Sequence, residues 1–190
     1  NWRVVGIDFS APMLAEARRS GQPLVRARAE ALPMRSDVAG LLTCGTAFHW
    51  FAPLAALAEI RRVLAPGGWV ALFWRYPRPE ARTVALVGAA LRGVNPDVPA
   101  DIQQYRVHSP APFEGSGLHP VPPLRLDTTL RWTAATFAGY AATVEWYRRL
   151  AGAHHAEFLT ALRTLLDAEY PGDFEEPNEE HVFLARRPAS

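Results

Sequence analysis

Four short stretches hold the residues with the most to offer chemically, and each sits where a strand gives way to a loop. Gly6-Ile7-Asp8 closes an apolar run. An ionised Asp only accepts hydrogen bonds, so at a strand end it can take both hydroxyls of a ribose; it can also cap a helix that starts nearby. Glu30 lies in Ala29-Glu30-Ala31-Leu32-Pro33, and His49 in Ala47-Phe48-His49-Trp50-Phe51. An imidazole with an unperturbed pKa of about 6.5 suits proton removal from a nucleophile at neutral pH. Arg75 directly follows Trp69–Trp74 and could hold an acidic group by a forked pair of hydrogen bonds, or stand solvated. His154 and His155 are adjacent and point to different helix faces, and His108, His119 and His181 are scattered, so no metal site is expected.

The elements that must position these groups follow from periodicity. Trp2–Asp8 reads as a strand. Ala11–Arg19 reads as a helix with Ser10 as N-cap, Pro12 in its first turn, and Met13, Leu14 and Ala17 on one face. Pro23–Ala27 is a second short strand. Val38–Gly45 is a continuous apolar run, expected of a parallel strand buried on both faces. Pro53–Leu64 is the clearest helix, with Leu54, Leu57, Ile60 and Leu64 at helical spacing. Ala65-Pro66-Gly67-Gly68 breaks it, and Trp69–Trp74 is another buried strand. Strand, helix, strand, strand, helix, strand implies an open parallel sheet with helical crossovers, whose ligands sit beyond the carboxyl ends of the strands.

The second half is less regular. The Pro-rich stretch 77–123 should hold a helix near Ala81–Arg92 and a looser one near Pro99–Arg106. Leu124–Arg131 alternates like a strand. Helices are expected from Thr133 to about Leu150 and from His154 to Tyr170. Asp173–Glu180 reads as a solvated acidic loop, and His181–Ala185 as a final strand.

Composition narrows the classes. The chain has 190 residues, enough for one domain with a sizeable core, and 49% hydrophobic content argues against disorder. A net charge of +1 gives no electrostatic case for nucleic acid. A single cysteine, Cys44, excludes an internal disulfide and a multi-cysteine zinc site. No apolar run approaches the roughly 18 residues of a membrane helix, and no signal peptide is visible. All 20 basic residues are Arg, a coding bias rather than twenty separate requirements. The chain opens at Asn1, inside an apolar run, and so reads as a fragment.

In order and spacing, VVGIDFSAPMLAEAR, ARAEALPM, AFHWF and RVLAPGGWVALF resemble the class I S-adenosylmethionine-dependent methyltransferases, in particular the small-molecule subgroup with trans-aconitate methyltransferase relatives. The resemblance is strong over Trp2–Phe73 and fainter over Leu124–Thr136 and His181–Arg186. It departs from the family in two places. The family's first strand and glycine-rich loop would precede Trp2, and the acid of the adenine loop is Arg28 here, which has no acceptor to offer.

The resemblance implies an α/β, Rossmann-like doubly wound sheet, mostly parallel with a late antiparallel strand, in a single domain (1–190) with substrate-cover insertions at 77–123 and 133–170. It implies S-adenosylmethionine as cofactor and a small-molecule methyl acceptor, with neither nucleic acid nor membrane as partner, in the cytoplasm. Asp8 would accept the ribose hydroxyls, and Phe9 and Met13 would wall the adenine. Ala29 would present backbone to the adenine edge beside Glu30. Gly45, Thr46 and Ala47 would line the sulfonium side. His49 would be the acid–base candidate, with Trp50 and Arg75 on the substrate side. The Pro66-Gly67-Gly68 turn is structural and at the far end of the sheet. Two other readings stand: a non-catalytic, partner-binding domain, and a nicotinamide-dependent oxidoreductase, which also places an acid at its second strand's end.

Overall fold

The computed structural model describes residues 3–105 and 112–189. Arg106, at the end of the looser helix expected from Pro99, lies outside the described residues, as does His108. The described chain forms two compact units: residues 3–74, 112–124 and 181–189, and residues 75–105 and 125–180.

In the first unit, β1 (Gly6–Asp8) pairs in parallel with β2 (Leu24–Arg26), in the register Gly6↔Leu24, Ile7↔Val25 and Asp8↔Arg26. Between them runs α1 (Ala11–Ala17), extended by a 3₁₀ turn to Ser20. The Ser10 hydroxyl caps the helix by accepting from the Met13 N–H, and Gly21 ends the turn at φ +70°. β3 (Ala39–Gly45) pairs in parallel with β4 (Leu64–Pro77), from Leu41↔Trp69 to Gly45↔Phe73. The crossover is α2 (Pro53–Val63), which buries Ala56, Leu57, Ile60 and Val63. The β1–β2 pair forms a two-stranded sheet separate from the one containing β3 and β4.

Four expectations need correction here. β3 is not buried on both faces: all seven of its residues keep some exposure, and Leu41 is 46% exposed. A buried parallel strand needs a neighbour on each edge and cover on each face; among the described residues β3 pairs with β4 alone. Leu54 is not on the buried face of α2 but 67% exposed, with Ala56 and Val63 taking the inward positions. The Ala65–Gly68 segment does not separate α2 from a strand at Trp69. It belongs to β4, which starts at Leu64, and is accommodated by a register shift between Ala39↔Leu64 and Leu41↔Trp69. Gly67 takes φ +76°, and a Cβ on Gly68 would lie 2.8 Å from the Ala65 carbonyl and 2.9 Å from that of Ala39. Two backbones meet there, and only glycine permits it.

The fourth correction concerns the acidic stretch. β7 runs Phe174–Arg186, so Glu175–Glu180 is strand rather than loop. Phe174, Glu176 and Asn178 alternate inward, and His119↔Arg186 and Pro120↔Ala185 pair β7 antiparallel to β5 (His119–Pro120). β4 and β7 each contribute residues to both units.

In the second unit, β6 (Leu124–Trp132) pairs with β7. A capping box between Thr133 and Thr136 then starts α4 (Ala134–Thr143). The helix expected from Thr133 to Leu150 is two helices. Val144 is extended, and α5 (Glu145–Ala151) starts after it. α3 (Arg82–Val94) and α6 (His155–Glu169) complete the layer. Phe158, Leu162 and Leu166 recur every fourth residue of α6 and are fully buried against Leu91, Phe137, Ala141 and Tyr147. Burial pushes the Tyr147 phenol well up from its ordinary pKa.

Candidate functional site

Asp8 ends β1 half-buried. Its Oδ1 accepts the Ser10 N–H at 2.7 Å, while its carbonyl accepts the Ala27 N–H at 3.1 Å. Ser10, not Asp8, is the helix cap, so the carboxylate shapes the turn between strand and helix. An ionised carboxylate has about four lone-pair sites, and one backbone bond leaves acceptor capacity for a second donor pair. Phe9 follows it in the chain and Met13 lies in the first turn of α1, at 61% and 60% exposure. They are not core residues, and an exposed apolar side chain offers a face to a flat ring.

The loop after β2 is held by a tie that sequence inspection did not single out. Arg62 donates Nε and Nη2 to the two oxygens of Glu59, Nη1 to the Met34 carbonyl and Nη2 to the Leu32 carbonyl. Glu59 in turn accepts the Leu32 N–H at 2.7 Å. Hydrogen bonding from Arg62 holds the Glu59 carboxyl below its ordinary pKa. The Arg of R-V-L-x-P-G-G thus pins residues 32–34 to α2, and its signal was that motif. Glu30 is committed likewise. Its Oε1 accepts the Ala52 N–H at 2.9 Å at the start of α2, Arg28 lies 3.4 Å from Oε2, and the Ala52 bond leads in lowering its pKa. Ala29 is half-buried beside it.

At the tip of β3, a Cβ on Gly45 would come within 2.6 Å of the Phe73 ring. Thr46 sits at φ +48°, a left-handed conformation that is costly for a β-branched residue, and its N–H donates to the Phe73 carbonyl at 2.8 Å. Ala47 leads into a 3₁₀ turn over Phe48–Trp50. There His49 Nδ1 accepts the indole N–H of Trp74 at 3.2 Å. That bond assigns the neutral ring's proton to Nε2. His49 therefore presents a donor, and the lone pair a base would use is taken. Partial burial pulls its pKa below the ordinary value. The Trp50 ring lies 4.9 Å from the His49 ring, tilted at 44°, and is 62% exposed. Burial raises the neighbouring Cys44 thiol to about 11, so it stays protonated.

The structure therefore places Asp8, Phe9, Ala29, Glu30, Gly45, Thr46, Ala47, His49 and Trp50 in the first unit, at strand ends and the loops after them, with Met13 in the same unit on α1. Arg75 lies in the second unit, where Nε and Nη2 both bind Glu180 Oε1, at 2.8 and 2.5 Å. Its fork is occupied. Sequence reading missed Trp74, whose partner lies 25 residues upstream, and Phe73, whose ring end lies over Gly45. Among the described residues no group of three His, Cys, Asp or Glu could hold a metal, and no helix is long and apolar enough to cross a membrane.

Parallel strands joined by helical crossovers and a late antiparallel strand define a Rossmann-like α/β fold. Residues 1–72 match the model of a methyltransferase domain family. An uncharacterised methyltransferase of Schizosaccharomyces pombe is 39% identical over 74 residues, 37% of this chain and 29% of that protein. The malonyl-[acyl-carrier protein] O-methyltransferase of Alcanivorax borkumensis is 45% identical over 73 residues, 35% of this chain and 24% of that protein. The chain thus spans less than a third of the length of either of these curated relatives. A structure described as a candidate type II methyltransferase of Anaeromyxobacter dehalogenans is similar in fold, with a TM-score of 0.55 and 24% identity, over 98% of this chain and 80% of that one.

Proposed function

We propose that the protein transfers a methyl group from S-adenosylmethionine to a small-molecule acceptor by in-line displacement. The observation that carries this reading is the half-buried Asp8 carboxylate at the β1 tip, followed along the chain by the exposed apolar side chains of Phe9 and Met13. An acid beside two apolar walls fits a nucleoside, which needs hydroxyl acceptors at one end and a ring surface at the other. Bound there, the cofactor supplies an electrophilic methyl group on a sulfonium.

The chain's own residues bind and orient. Asp8 accepts the two ribose hydroxyls while Ser10 keeps the carboxylate from turning. Phe9 and Met13 cover the adenine faces, and the Ala29 backbone meets the adenine edge. Glu30, bound to Ala52, fixes that loop rather than touching the ring. Gly45 and Thr46 bring backbone close to the reacting end. Alignment of this kind is worth up to roughly 7–11 kcal/mol in favourable cases. His49 acts as a hydrogen-bond donor through Nε2 and orients the acceptor, and Trp50 closes over it. Proton removal by His49 would require loss of the Trp74 bond.

The test is calorimetric titration with S-adenosylmethionine and, separately, with NADH. Binding of the first and not the second is expected. Binding of NADH alone would replace this reading with the oxidoreductase one, and binding of neither would leave a non-catalytic domain.

A further inference from the structure

On the first unit, away from the strand tips, lies a cavity of about 560 Å³ lined by Leu54, Ala58, Arg61, Arg62, Ser116 and Arg187. Its size falls within the roughly 300–1,000 Å³ of small-molecule sites. Leu54, Ala58 and Arg61 stand at i, i+4 and i+7 on α2, so they form one stripe that runs from apolar to cationic toward the helix's C-terminal end. That end adjoins Gly67 and Gly68, whose backbones pair with Arg187, at the start of β4 rather than at the Phe73 end that meets Thr46.

The charges are not balanced. Arg62 is matched by Glu59, and Arg187 donates Nη1 to Asp37 and to the carbonyls of Arg62 and Leu64. Arg61 makes no ion pair or hydrogen bond among the described residues. Its guanidinium lies across Gly117, with Cζ 3.3 Å from where a Cβ would be. Three cations thus face two acids, and Glu114, beside Gly115, does not line the cavity. A helix C-terminus repels anions, so an anion here would depend on the guanidinium groups. Beside Arg61, Leu54 holds an apolar surface open to solvent.

We propose that this cavity binds an amphipathic organic anion: an apolar body along Leu54 and Ala58, and a carboxylate or phosphate group held by Arg61 with Arg187. Planar guanidinium forks suit both head groups. The site is separate from the cofactor reading and needs no cofactor to be tested.

The experiment is calorimetry at low salt with hexanoate, hexyl phosphate, inorganic phosphate and 1-hexanol, on the protein and on Arg61→Gln and Arg131→Gln. Arg131 is an exposed arginine on β6, paired with Glu175, and serves as the charge control. One or both hexyl anions should bind, at least ten-fold more tightly than hexanol or inorganic phosphate. The tighter of the two identifies the head group. Arg61→Gln should weaken binding at least ten-fold with an unchanged melting temperature, and Arg131→Gln should leave it alone. Failure of both anions to bind overturns the proposal. So does hexanol binding as well as they do, inorganic phosphate matching hexyl phosphate, or Arg61→Gln retaining full affinity.

Discussion

The helical layer of the second unit and the strands of the first unit are built from similarly apolar sequence, yet they end in different states. In α6, Phe158, Leu162 and Leu166 are fully buried among side chains of α3, α4 and α5. In and just before the strands β1–β3, Val4, Val5, Val25 and Leu41 remain exposed by 37–54%. The residues with chemistry to offer sit in the second kind of surroundings. A stable core and a ligand-ready surface make opposite demands: one consumes apolar area on folding, the other keeps it for a partner ring.

The sharpest way to break that comparison is a matched pair of truncations. Phe158→Ala should lower the unfolding free energy by about 3–5 kcal/mol, the usual range for emptying a buried aromatic site. Leu41→Ala should cost under about 0.5 kcal/mol, as surface changes do. Urea denaturation reads both, and equal losses would mean that β3 is core after all. Next in size is Gly68→Ala, which drives a methyl into the Ala65 and Ala39 carbonyls and should cost about 1–3 kcal/mol by the same measurement. It would show that the first unit is rigid at the base of β4 while open along β3.

The His49 contact is probed by Trp74→Phe. It removes the donor to His49 Nδ1, a bond worth about 0.5–1.5 kcal/mol, and the ring volume lost at this fully buried position adds to that cost. The ¹⁵N spectrum of His49 should move from a pure Nε2–H tautomer to a mixture. His49 also gives a pH test. Burial lowers its folded-state pKa, so the unfolded chain takes up that proton more readily. Its contribution to stability is intact above the unfolded value of about 6.5 and declines as pH falls below it. An NMR titration midpoint at or above that value would contradict the burial seen here.

The same contrast explains what the sequence could disclose. Local periodicity carries α2, α3, α6 and the short strands, because those patterns report on the element itself. It fails where the outcome is set by what lies opposite. Glu176 sits in a charged run that reads as solvated, yet it is buried because Thr83, Trp132 and Asn178 donate to it from 93, 44 and 2 residues away. Val38–Gly45 reads as buried because its residues are apolar, but burial requires a neighbour that the run cannot supply. Asp8 was legible as an acid at a strand end. Ser10 was legible as the helix cap, but the Ser10 N–H bond that sets the Asp8 carboxylate in the turn was not, nor was the engagement of the Arg75 fork by Glu180. His49 stood out by type alone; its role as a donor depends on an indole 25 residues further along the chain.

The central claim is that Asp8 grips a nucleoside sugar. The affinity of the protein for S-adenosylmethionine, measured by calorimetry before and after Asp8→Ala, tests it most directly. The account predicts a loss of about 1.5–3 kcal/mol in binding, the scale of a hydrogen bond to a charged group. Clear binding by the parent protein with an unchanged affinity in the variant would contradict it and leave Asp8 as a residue that only shapes the turn.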